Sequence, residues 1–88
     1  MANETLKISV SDTNASASFS SNKDFVKIKN TGSAKCYFNL NAAATTSHFS
    51  LDPSESILIG LQNIASVQAI SDSGITTTLK IVGWEAYA

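Results

Sequence analysis

Residues 25–40 read FVKIKNTGSAKCYFNL, two alternating runs around a polar centre. In the first, Val26 and Ile28 point one way and Lys27 and Lys29 the other; in the second, Cys36, Phe38 and Leu40 point inward and Tyr37 and Asn39 outward. A period of two is the pattern of a strand with one buried face. Between the runs lies NTGSA, where Gly32 offers a position at which positive φ is cheap. The stretch predicts a β-hairpin, and its acid-poor composition raises the question of what such a hairpin does.

The same alternation recurs along the chain. TLKISV (residues 5–10) sets Leu6, Ile8 and Val10 against Lys7 and Ser9, and SDTN ends it. ASASFS (15–20) is a weaker strand running to Phe19, followed by SNKD, which reads as a turn. Residues 41–50 are the least regular; TTSHF is read as a strand after a run of Ala. DPSE presets a turn through Pro53, SILIGL and ASVQAI are strands, SDSG is a turn, and TTTLKIVGW is the final strand with Leu79 and Ile81 inward. Val26, Ile28, Phe38, Leu40, Ile57, Ile59, Leu79 and Ile81 are the expected core.

Seven or eight short antiparallel strands at near-regular spacing predict an all-β fold, a single small β-sandwich or jelly-roll-like domain over residues 1–88. Composition agrees: Ser, Thr and Asn make up 29 of the 88 residues, while charged residues are only 15%. Hydroxyls and short amides compete for backbone hydrogen bonds and favour turns and strands over helix interiors.

Few function classes suit these residues. The net charge of −1 provides no long-range field toward nucleic acid or an anionic membrane, and all six basic residues are Lys. The single Cys36 lies in an apolar run and reads as a small buried hydrophobe. His48 has Ser47, Ser50 and Asp52 nearby in sequence but no nucleophile elbow, and Asp12, Asp24, Asp52 and Asp72 fall in expected turns. The expectation is a non-enzymatic protein with no cofactor and no metal. The first twenty residues hold no apolar signal core and no window approaches membrane-spanning length, which predicts synthesis in a cytosol.

One constellation has binding character: Lys23, Lys27, Lys29 and Lys35 interleaved with Phe25 and Tyr37. Such a face suits single-stranded nucleic acid, but outward Lys on a hairpin also keeps it soluble and unpaired, and without Arg the second reading is preferred. Beyond Ile81, strand phase puts Val82 and Trp84 opposite the core, and Tyr87 follows. Large aromatics on the outside of a small, weakly charged domain mark a partner surface. The expected interface is Phe25, Lys27, Lys29, Tyr37, Val82, Trp84 and Tyr87.

VKIKNTGSAKCYFNLN, then ATTSHFSLDPSES, then IASVQAISDSGITTTLKIVGW resembles the small β-sandwich structural proteins of tailed-bacteriophage virions. The shared pattern is a strand, Asn-Thr-Gly-Ser, an aromatic-rich strand, a loop closing in a turn, and a late Ser-Gly-Thr-Thr strand. The chain departs from it at Asn41, where Gly is common. The resemblance implies a capsid decoration protein on the virion surface, made in the host bacterial cytoplasm and bound to the major capsid protein or other virion proteins. The outward aromatics predict a homo-oligomer, for which the resemblance favours a trimer, and the charge balance predicts no nucleic-acid or membrane partner. A tail, neck or fibre-attachment component and a glycan-binding β-module are the alternatives.

Overall fold

The computed structural model describes residues 3–85, and within them every side chain except those of residues 61 and 62. The fold is all-β and sandwich-like. The expected segments condense into six strands: β1 (Asn3–Val10), β2 (Ala15–Asn30), β3 (Cys36–Leu40), β4 (Phe49–Leu51), β5 (Ser56–Ile70) and β6 (Thr77–Trp84). They join antiparallel in one sheet of order β1-β6-β2-β5-β3-β4.

Two long strands explain the reduced count. β2 and β5 each run through a corner, so the sheet folds onto itself. On one side of the corner, residues 25–29 of β2 pair with 56–60 of β5 and, through residues 25–30, with β6. On the other, residues 15–18 pair with 66–69, and β5 goes on to β3. Register shifts lie between Ser18 and Lys23 and between Lys23 and Phe25, and such bulges bend a strand sharply. SNKD is therefore not a turn but the corner of β2, and Asn63, with φ 61°, sits in the corner of β5.

The corner is fastened by a buried cation. Lys23 is 2% exposed. Its Nζ donates to the Ser21 carbonyl at 3.1 Å and to Ser21 Oγ at 2.9 Å, and lies 3.4 Å from Glu4 Oε1 and 3.6 Å from Glu85 Oε2. A buried ammonium is tolerated only with such partners. Glu4 in turn accepts from the Ser20 backbone N–H and hydroxyl, and the backbone donor is the main cause holding its carboxyl below the usual range. β1, β2 and the residue after β6 thus meet at one ion cluster.

The expected hairpin at residues 25–40 is corrected: β2 and β3 are separated in the sheet by β5. NTGSA crosses between the halves, organised by Asn30, which is fully buried. Its Nδ2 donates to the carbonyls of Ala34 (2.7 Å) and Leu51 (2.9 Å), while Oδ1 accepts from Gly32 N–H (3.0 Å) and Thr77 Oγ1 (2.8 Å). Gly32 has no positive φ; its need is space, since a Cβ there would lie 1.9 Å from Thr77 Oγ1 and 2.7 Å from the Thr78 nitrogen.

TTSHF is also corrected. Only Phe49 of it is strand; residues 45–48 turn, with His48 N–H bonded to the Thr45 carbonyl and Thr45 N–H to His48 Nδ1 at 2.8 Å. The other turns stand where expected, at Asp52–Glu55 and at Asp72–Ile75, where Gly74 takes φ 76°. Asn41 adopts φ 63°, a left-handed conformation Asn tolerates, and its side chain caps the N–H groups of Ala65 and Ser66.

A single core lies between the halves. Val26, Ile28, Ile64, Val67, Ala69, Leu79, Ile81 and Cys36 have no measurable exposure, and Phe38 is 4% exposed. Leu40, Ile57 and Ile59 have the expected phase but are only partly buried, because they flank an open groove.

Candidate functional site

The outward face of the half-sheet β1-β6-β2-β5 gathers most of the expected interface. Cross-strand register fixes three rows: Asn3, Trp84, Phe25 and Gly60; Thr5, Val82, Lys27 and Leu58; Lys7, Lys80, Lys29 and Ser56. Residues directly opposite share a face, so each row is a line of neighbouring side chains. The reverse face carries Val26, Ile28, Leu79 and Ile81, which places these rows outside.

Two features occupy adjoining parts of this face. Trp84, Phe25, Val82 and Leu58 form an apolar strip in which Phe25 is 43% and Leu58 65% exposed, while Val82 and Trp84 are half-buried among their neighbours. Phe25 lies over Gly60, where a Cβ would come within 3.1 Å of its ring. Beside the strip, Lys7, Lys80 and Lys29 stand in a line across three strands, with Lys27 one row away, all four exposed. None of the seven Asp and Glu residues holds a position in these rows.

The expected residues divide accordingly. Phe25, Lys27, Lys29, Val82 and Trp84 come together, and the strand phase that put Val82 and Trp84 opposite the core is correct. Tyr37 does not join them: it lies on the other half-sheet, on β3, with Lys35 Nζ 5.5 Å from its ring centre and its hydroxyl 3.5 Å from Asp72 Oδ2. Tyr87 lies outside the described residues. Lys23, expected outward, is the buried corner cation. Sequence reading missed Lys7, Lys80 and Leu58, whose place on the face depends on pairings between distant strands.

Apart from this face, a groove of about 450 Å³ opens between the halves, lined by Phe38, Asn39, Leu40, His48, Phe49, Ile57 and Ile59. Phe49 stands opposite Phe38 yet is 79% exposed, overhanging the groove from the short strand β4. The lining offers van der Waals surface, and its imidazole is engaged in the Thr45 turn.

Reactive groups are scattered. Cys36 is buried, and desolvation pushes its thiol up to about 11, which keeps it protonated at neutral pH. Among the described residues no group of three or more His, Cys, Asp or Glu is placed to hold a metal ion, and no helix is long and apolar enough to cross a membrane. The chemistry available to the outward face is adhesion: apolar burial and attraction for anions. No known protein-family model matches the chain, and no curated protein is significantly similar to it.

Proposed function

We propose that the chain is a non-enzymatic structural protein that works by docking its outward β1-β6-β2-β5 face on a larger assembly, and that this assembly is a tailed-bacteriophage capsid, where it acts as a decoration protein. The observation that carries the docking role is the apolar strip, with Phe25 and Leu58 open to solvent at diagonal positions of the paired strands β2 and β5. Contiguous exposed apolar surface of this kind costs solubility in a free protein and marks an interaction site. The capsid as the destination rests on the resemblance in NTGSAKCYFNLN and SGITTTLKIVGW.

Fractionation of virions, followed by electron microscopy of the particle, tests the proposal. Density for this chain on the outer capsid supports it, with Leu58→Ser reducing occupancy. Recovery with the tail or neck supports the alternative virion role, and exclusion from particles overturns both. Sedimentation equilibrium of the free chain tests the homotrimer separately.

A further inference from the structure

We infer that the surface this face docks on is an acidic protein surface, held by the lysine row Lys7–Lys80–Lys29 and Lys27 around the apolar strip; the inference rests on the docking role proposed above.

Outward Lys keeps a sheet face soluble, but solubility does not require the lysines to stand directly opposite one another. Like charges directly opposite on neighbouring strands destabilise a sheet, and Lys80 has a like neighbour on both sides. Lys on an edge strand protects against unwanted strand pairing, which accounts for Lys7 on β1. It does not account for Lys80 and Lys29, because β6 and β2 are interior strands with a neighbour on each side. Nor is the charge neutralised within the rows, where no Asp or Glu stands. Four of the six Lys gather on one face of a chain whose net charge is −1. The face is therefore locally cationic and complementary in charge to a surface that carries carboxylates.

The apolar strip selects the kind of anion. A single nucleic-acid strand would use Lys and the rings of Phe25 and Trp84, but Val82 and Leu58 would gain little beside phosphates. A protein surface with an apolar centre and a carboxylate margin meets both parts, the usual anatomy of a docking site. The lysine row crosses two strand spacings, about 10 Å, a distance matched by carboxylates on one helix face or adjoining strands. Attraction between such surfaces accelerates encounter and is weakened by salt.

The chain's only Trp, Trp84, lies in the strip and reports binding by its fluorescence. The full chain is titrated with a Glu–Leu copolymer, with polyglutamate and with oligo-dT of matched charge. The copolymer should bind tightest, with affinity falling about tenfold or more as NaCl rises from about 50 to 300 mM. The Lys7→Gln, Lys29→Gln, Lys80→Gln triple variant should lose about tenfold at low salt while its urea midpoint stays level or rises. Leu58→Ser should weaken the copolymer but not polyglutamate. Unchanged binding by the triple variant overturns the inference, and so does a preference for oligo-dT, which would make this a nucleic-acid face. Particle binding separates the two levels of the reading. If Leu58→Ser abolishes it while the lysine variant and salt leave it intact, docking stands and the acidic partner falls; if neither variant changes it, the docking role itself fails.

Discussion

The Thr77 hydroxyl donates a 2.8 Å hydrogen bond to Asn30 Oδ1 in the interior, joining the end of β2 to the start of β6. With this bond the Asn30 amide uses both donors and both acceptor positions, three of them with backbone groups of Gly32, Ala34 and Leu51. Asn30→Ala removes all four links and leaves buried backbone groups unpaired, at a cost of about 3 kcal/mol. Urea denaturation should show the midpoint falling; an unchanged midpoint would mean that water replaces the amide without loss.

Gly32→Ala should destabilise by about 2–3 kcal/mol, because the added methyl meets Thr77 Oγ1 and the Thr78 backbone. Adding Thr77→Ala should not restore stability: the backbone obstacle stays, and Asn30 loses a donor. Full rescue in the double variant would place the whole conflict at the Thr77 hydroxyl.

Lys80→Glu should stabilise the free protein by about 0.5–1 kcal/mol, since it turns two like-charge neighbours, Lys7 and Lys29, into opposite-charge pairs. Thermal melts at low salt should rise, with the gain shrinking as NaCl screens the row. The same substitution should weaken association with the acidic copolymer, so stability and binding move in opposite directions.

Burial raises the Cys36 thiol from 9.0 to about 11, which gives stability a defined pH window. A folded-state value above the unfolded one stabilises fully below about pH 9 and loses that contribution as pH rises toward about 11. Urea midpoints across this range should fall more steeply for the wild type than for Cys36→Ala. The thiol should also resist iodoacetamide at pH 8 until the chain is unfolded.

Strand identity was legible wherever one face is buried by its own period. β6 shows it best, with Leu79 and Ile81 inward and Val82 and Trp84 outward as alternation requires. Pairing was not legible. FVKIK and CYFNL look like the arms of a hairpin because nothing local announces that β5 lies between them, and the residue that settles it, Asn30, has partners up to 47 positions away. SNKD has turn composition, and only Glu4 and Glu85, brought in by other strands, make Lys23 an interior residue. The candidate face was half visible for the same reason. Phe25, Lys27 and Lys29 share one strand, whereas Lys7 and Lys80 join them only through ladders linking residues far apart in the chain.

The pairing of β1 with β6 also sets an order in time. Among the described residues β1 has no ladder partner other than β6, so Lys7 leaves the ribosome long before the strand that will hold it exists. Dominance of such distant pairings slows folding to milliseconds or seconds. The Lys7–Lys80–Lys29 row and the Trp84–Phe25 step close only after the chain has emerged through Trp84, whereas Phe25, Lys27 and Leu58 share the earlier β2–β5 ladder. Completion of the lysine row thus waits for β6, while its β2–β5 part is set by strands made earlier.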